Sequence, residues 1–245
     1  MFGMSTSKSS STPMSTSMEI SAAETGKSVD QSLYKKLIGS LLYLTTSRPD
    51  IQFVVGVCAR YQVAPKESHF TIAKRILKYV KGTVDVGLWY PKEGELDLVG
   101  YIDSDLGGCK LYRKSTSGNC HFLGPRLVSW FSKKQLANSL STTESEYYAA
   151  GSCCMQILWM QQQLSDYGIH ARETPIMCDS TSAIAITHNP VFHSRTKHID
   201  IKDHFIRNHV ESKDVRLEKV HTDNQLATSS PSLSALHGSA CFDKK

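Results

Sequence analysis

Around Pro91-Lys92-Glu93-Gly94 the hydrophobic period of this chain changes from helical to alternating, which places a domain boundary there. Upstream, Leu33, Leu37, Ile38, Leu41 and Leu44 share one face of a helix expected over 31–44. The Arg48-Pro49-Asp50 break ends it and starts a second helix lined by Phe53, Val54, Val57, Cys58 and Tyr61. A third is expected from Pro65 to Val80, stopped by Gly82, with Phe70, Ala73, Ile76, Leu77 and Val80 inward. Lys74, Arg75, Lys78 and Lys81 form its basic outer face, a solvated surface or a phosphate contact.

Downstream the spacing predicts strands over 96–103, 118–123 and 126–131, the last two turned at Gly124-Pro125. A long glycine-poor helix over 142–167 follows, then a short buried strand at 176–178 and a short helix over 180–188. A further helix over 198–210 and a strand over 215–220 complete the pattern. Three strands as a meander, then helix, strand, helix, helix and strand, describe an α/β fold with a mixed five-stranded sheet and flanking helices. Residues 1–30 are rich in Ser, Thr and Met and are expected to be poorly ordered.

Composition excludes several classes. A chain of 245 residues, 40% hydrophobic and 21% charged, buries a sizeable core in one to two domains. A net charge of +5 is compatible with a polyanionic partner without identifying one. No apolar run reaches spanning length, and no basic segment followed by an apolar stretch opens the chain, which argues against secretion. Cys58, Cys109, Cys120, Cys153, Cys154, Cys178 and Cys241 include no Cys-x-x-Cys pair, so neither a zinc site nor a disulfide framework is indicated. They read as reduced thiols of an intracellular protein, cytoplasmic or nuclear. His193, His198, His204 and His209 lack the spacing of a zinc site.

The chemistry-bearing residues are carboxylates. Ser141 and Glu144 form a capping box, which assigns Glu144 to the helix start. Glu146 lies one position past that turn, with Ala150 and Cys153 following on its face, and a carboxylate among small residues needs a charged partner. Asp103 closes the first predicted strand and Asp179 follows the fourth, and strand ends of an α/β sheet converge on the ligand crevice. Carboxylates meeting there repel unless divalent cations lie between them, and oxygen ligands favour Mg²⁺ or Mn²⁺. Two such ions about 4 Å apart suit phosphodiester hydrolysis.

Six phrases carry a family resemblance: Gly100-Tyr101-Ile102-Asp103-Ser104-Asp105, Arg113-Lys114-Ser115-Thr116-Ser117-Gly118, Val128-Ser129-Trp130-Phe131-Ser132-Lys133-Lys134-Gln135, Leu140-Ser141-Thr142-Thr143-Glu144-Ser145-Glu146-Tyr147, Cys178-Asp179-Ser180 and Arg195-Thr196-Lys197-His198-Ile199-Asp200. In this order they resemble the ribonuclease H domain of copia-type LTR retrotransposon Pol polyproteins. The likeness covers residues 95–227. Residues 31–92, with Tyr34-Lys35-Lys36-Leu37-Ile38-Gly39 and Ser47-Arg48-Pro49-Asp50-Ile51, resemble the end of the preceding reverse transcriptase.

The resemblance implies a ribonuclease H-like fold that cuts the RNA strand of an RNA–DNA hybrid with two Mg²⁺ ions. It makes Asp103, Glu146 and Asp179 the catalytic metal ligands, with Asp105 a loop or supporting group. Arg113 and Lys114, solvated charges in most proteins, would by this resemblance sit close to the site and touch the hybrid backbone. The basic face of Lys74, Arg75 and Lys78, read from the residues themselves, is the other candidate for nucleic-acid contact. Trp130 reads as core and His221 as a loop histidine. The fourth acidic ligand should follow Asn224-Gln225-Leu226-Ala227, where this chain has Thr228. In the family the phrase continues Asp-Ile-Phe-Thr-Lys-Pro-Leu-Ser. Loss of the first base from plausible codons for it yields Thr-Ser-Ser-Pro-Ser-Leu-Ser, the residues at 228–234. Residues 228–245 are accordingly expected to be an out-of-frame, disordered tail. The alternative is a catalytically impaired or inactive remnant of the same fold that at most binds nucleic acid.

Overall fold

The computed structural model describes residues 7–15, 26–109, 113–188, 205–227 and 242–244. Helix α1 (Gln31–Leu44) starts where the Asp30 carboxylate accepts from the Leu33 amide at 2.6 Å, and it buries Tyr34, Leu37, Ile38 and Leu41. A 3₁₀ turn at Pro49–Ile51 runs into α2 (Gln52–Ala59), and α3 spans Glu67–Gly82. Buried Arg48 ties these together. Its guanidinium donates to both Asp50 oxygens, at 2.9 and 2.6 Å, and to the Thr83 hydroxyl and carbonyl, while the Tyr79 hydroxyl donates to Asp50.

The inward face of α3 is rotated from the expected stripe. Ala73 and Ile76 are buried as expected, but His69, Ile72 and Tyr79 join them, and Phe70, Leu77 and Val80 are only half-buried. Polar contacts account for this: Tyr79 reaches Asp50, and the His69 ring stacks on Tyr61 at 4.1 Å. Residues 7–15, expected to be unordered, lie along the outside of α3. The Ser10 amide donates to the Lys78 carbonyl at 3.2 Å, and Met14 packs against the helical core.

The sheet comprises β2 (Leu98–Cys109), β3 (Lys114–Leu123), β4 (Arg126–Lys134), β5 (Thr174–Cys178) and β6 (Val215–Lys219), in the order β4-β3-β2-β5-β6. The first three form the antiparallel meander, whereas β5 pairs parallel with β2 and β6 parallel with β5. This is the mixed five-stranded α/β architecture expected. Helix α4 (Thr142–Asp166) covers one face. A Cβ at Gly100 would stand 2.7 Å from Cys153 Sγ and 2.9 Å from Ile157 Cδ1, so only glycine lets α4 approach β2 this closely. Helices α5 (Thr181–His188) and α6 (Phe205–Glu211) complete that layer, around a core including Ile102, Tyr147, Cys153, Ile157, Ile176 and Ile206.

Side-chain alternation turns Tyr101, Cys120 and Trp130 to the opposite face. There α2 lies against β4, and the Trp130 indole N–H donates to the Thr45 carbonyl at 2.9 Å. The two parts read from the sequence thus share an interface.

The three strands of the meander exceed their expected limits, β3 beginning at Lys114 and β4 running to Lys134, and a further strand pair was not expected. Strand β2 does not end at Asp103 but continues to Cys109, because the pairing with β3 persists through Asp105↔Thr116 before the register shifts. A short β1 (Val86–Leu88) pairs antiparallel with β7 (Phe242–Lys244), so these three residues of the expected disordered tail are strand. The backbone of β1 supplies that ladder its partner groups. The rest of residues 228–245, the helix expected before Phe205 and the Arg195–Asp200 phrase lie outside the described residues. Among the described residues no helix is long and apolar enough to cross a membrane.

Candidate metal centre

The start of α4 sets the two glutamates apart. The Ser141 hydroxyl accepts from the Glu144 amide at 3.2 Å, and the Glu144 carboxylate accepts from the Leu140 amide at 2.7 Å. Glu144 therefore caps the helix, reaching one residue beyond the usual box. The Gln135 amide group donates to the Ser117 hydroxyl at 2.8 Å and the Ser145 carbonyl at 2.9 Å, strapping this turn to β3. Glu146 is then aimed at β2. Its Oε1 accepts from the Ser104 amide at 3.0 Å and the Ser104 hydroxyl at 2.8 Å. Its Oε2 is buried without a hydrogen-bond partner, in a residue only 7% exposed. Burial pushes the Glu146 carboxyl up to about 8; Asp103 and Asp179 add to the rise, while the Ser104 bonds oppose it.

Asp179 directly follows β5 and accepts from the Thr222 hydroxyl at 3.3 Å. Glu146, Cys178 and Asp179 offer ligand atoms that all lie within 4.8 Å of one another. Asp103 stands outside this closest group, opposite Gly118 in the middle of β2, and acts on Glu146 through charge. Asp105, read as a loop or supporting group, lies not in a loop but in the strand, opposite Thr116. Burial raises its carboxyl, Asp103 adds to that, and Arg60 opposes it. The Arg60 guanidinium, at the end of α2, donates to the Thr116 hydroxyl at 3.1 Å. Two contributors escaped sequence reasoning, Ser104 and Cys178. Their only signal was adjacency to Asp103 and Asp179.

An orphaned, buried carboxylate oxygen facing two further aspartates is a donor set for a hard divalent cation, which would replace the missing hydrogen-bond partner. The segment expected to bring the fourth ligand approaches the same strand. Gln225 donates from its amide nitrogen to the Ile102 carbonyl at 2.7 Å and accepts from the Ala227 amide at 3.2 Å. Thr228 lies just beyond the described residues.

The cationic candidates are partly engaged by the chain itself. Arg113 occupies a left-handed position with φ 51° and is exposed, whereas the Lys114 ammonium donates to the Leu136 carbonyl. Lys74 lies 4.4 Å from the Phe70 ring centre. Arg75 donates to the Thr12 carbonyl and hydroxyl at 3.2 and 2.9 Å, and Lys81 to the Ser7 carbonyl at 3.0 Å. Residues 7–15 therefore occupy part of the face expected to meet phosphates. His221 is exposed and pairs with Asp223 at 3.3 Å.

Comparisons with known proteins give the chain its relatives. It is 39% identical over 225 residues to the Retrovirus-related Pol polyprotein from transposon RE1 of Arabidopsis thaliana, covering 91% of this chain and 15% of that protein. It is 34% identical over 233 residues to the Retrovirus-related Pol polyprotein from transposon TNT 1-94 of Nicotiana tabacum, covering 92% and 18%. The chain thus spans less than a fifth of the length of either. No protein-family model matches it. Among solved structures, the protease–reverse transcriptase of prototype foamy virus aligns at 15% identity and a TM-score of 0.37, over 64% of this chain and 22% of that one.

Proposed function

We propose, from the premise that this chain is a homologue of the retrovirus-related Pol polyproteins of transposons, that residues 95–227 are a copia-type ribonuclease H domain cleaving the RNA strand of RNA–DNA hybrids. Residues 31–92 are then the end of the reverse transcriptase, packed on the open face of the sheet. The observation that carries the reading is Glu146, held through one oxygen by Ser104 while the other is buried, unpartnered and flanked by acidic charge.

Asp103, Glu146 and Asp179 would hold the divalent ions, Mg²⁺ or Mn²⁺. Bound there, such ions activate a water and stabilise the leaving oxygen of an in-line phosphodiester displacement. The remaining work falls to the chain. Ser104 orients Glu146, Thr222 orients Asp179, and the α4 cap holds the helix start against β3. Burial lifts the Glu146 carboxyl to about 8, and a cation held there would favour its ionised form. Arg113, Lys114 and the Lys74, Arg75 and Lys78 face supply backbone contacts to the hybrid.

The second reading, an impaired remnant, is favoured by one observation. Gln225 and Ala227 bring the chain to β2 beside Asp103, and the next residue is a neutral Thr228. A hydroxyl cannot supply the missing anionic charge. Cleavage of a labelled RNA–DNA hybrid in Mg²⁺ or Mn²⁺ separates the two, run on the wild type, Thr228→Asp and Glu146→Gln. Glu146-dependent cleavage in either of the first two supports the ribonuclease site. Gain of activity only on Thr228→Asp assigns the native chain to the impaired class, and no cleavage by any variant overturns the proposal.

A further inference from the structure

Beneath the carboxylates lies a sulfur that the ribonuclease reading does not use. Cys178 is the last residue of β5 and fully buried, and its Sγ belongs to the group of ligand atoms within 4.8 Å that includes Glu146 and Asp179. The independent sign of a ligand is again Glu146 Oε2, an unpartnered oxygen on a side chain more than nine-tenths buried.

We infer that Glu146, Cys178 and Asp179 form a binding site for a thiophilic divalent cation such as Zn²⁺ or Cd²⁺, which takes the position the hard ion would otherwise use. This rests on the ribonuclease reading only in that both share Glu146 and Asp179. Zn²⁺ is held by thiolate sulfur at about 2.3 Å and carboxylate oxygen at about 2.0–2.2 Å, usually in a tetrahedron with water completing an open site. Such bond lengths put neighbouring ligand atoms roughly 3.5 Å apart, so three atoms within 4.8 Å need to close by no more than about 1.3 Å.

Burial pushes the Cys178 thiol up to about 12, so the sulfur is a ligand only with a cation beside it, and one of its two hydrogen bonds suits that form. Sγ accepts from the Ser180 amide at 3.3 Å and donates to the Ser180 carbonyl at 3.6 Å. Coordination keeps the first bond, which supports a thiolate, and gives up the second as the thiol proton leaves to solvent. Mg²⁺ takes oxygen ligands and has no use for this sulfur. Cys178 therefore discriminates between ions by softness, and a sulfur-anchored ion holds the carboxylates in a form that blocks exchange with Mg²⁺.

The test is calorimetric titration of the full chain with Zn²⁺ and, separately, Mg²⁺, for wild type, Cys178→Ser, Asp179→Asn and Cys241→Ser. Cd²⁺ is added in parallel to read the sulfur-to-metal charge-transfer band. Expected is at least a tenfold loss of Zn²⁺ affinity and loss of the Cd²⁺ band in Cys178→Ser, with Mg²⁺ affinity unchanged within twofold. Asp179→Asn, which keeps the thiol, should weaken both ions, and Cys241→Ser neither. Zn²⁺ affinity that is indifferent to Cys178, or falls equally in Cys241→Ser, overturns the inference. If Cys178→Ser does not fold, Zn²⁺ affinity unchanged in Asp179→Asn overturns it as well. Cys178-dependent Zn²⁺ binding without Mg²⁺ binding or hybrid cleavage would sink the ribonuclease reading and leave this one standing. Hybrid cleavage with Zn²⁺ binding indifferent to Cys178 would do the reverse.

Discussion

Ser104 grips Glu146 twice, through its amide at 3.0 Å and its hydroxyl at 2.8 Å, and both bonds fall on the same carboxylate oxygen. The other oxygen is left for something the protein does not supply. Removing the hydroxyl in Ser104→Ala withdraws one of the bonds that oppose the upward shift of Glu146. The apparent pKa governing Mg²⁺ binding should therefore move up, and hybrid cleavage below pH 8 should fall on the order of tenfold, as befits loss of one oriented hydrogen bond to a charged group. A pH–rate profile reads both; an unmoved profile means Ser104 does not position the carboxylate.

The two glutamates should separate cleanly on mutation. Glu146→Gln is expected to abolish metal-dependent cleavage while leaving thermal stability unchanged or raised, because it removes a desolvated carboxyl. Glu144→Ala should lower stability by about 1 kcal/mol through its cap and retain cleavage. Thermal melts beside activity assays check the pair, and a reversal of the two phenotypes would exchange their roles.

His121 makes the fold acid-sensitive. It is fully buried on β3, with Nε2 3.3 Å from Cys153 Sγ, Nδ1 unpartnered, and burial holding its pKa down at about 4. The unfolded chain binds a proton near pH 6.5 and the folded one does not until about 4. Stability present above 6.5 is thus lost progressively as pH falls towards 4, by on the order of 3 kcal/mol. Urea unfolding across that window should show a shallower pH dependence for His121→Gln than for wild type. Parallel curves would mean the imidazole is protonated in the native state.

The Arg48–Asp50 pair should be indispensable to the helical part. Arg48→Met strands a buried carboxylate that, among the described residues, keeps the Tyr79 hydroxyl, and a loss on the order of 3 kcal/mol is expected in reversible unfolding. A loss under about 1 kcal/mol would place the pair among ordinary exposed ion pairs.

Residues 7–15 should compete with nucleic acid for α3. A chain lacking residues 1–15 removes the Thr12 partner of Arg75 and the Ser7 carbonyl from Lys81, so its affinity for an RNA–DNA hybrid should rise at low salt and fall more steeply as salt increases. Fluorescence anisotropy over a salt series measures this. Identical curves for both chains would remove α3 from the binding surface.

Much of this protein was legible from local signals. Periodicity located α1, α4, β5, β6 and the turn at Gly124-Pro125, because burial of one face repeats at the period of the element that buries it. Capping chemistry separates Glu144 from Glu146 in the sequence alone, since a cap is decided within four residues. Tertiary structure decided the rest. The length of β2 past Asp103 depends on a hydrogen-bond ladder with β3, which runs against the local turn signal of its glycines. The rotated face of α3 depends on Asp50 and Tyr61, which lie outside that helix. That Ser104 holds Glu146, and that Cys178 and Asp179 come beside it, follows from the parallel register of β5 on β2 beneath α4. Sequence sets which residues want burial or a charged partner, but partners dozens of positions away are chosen only when the chain closes on itself.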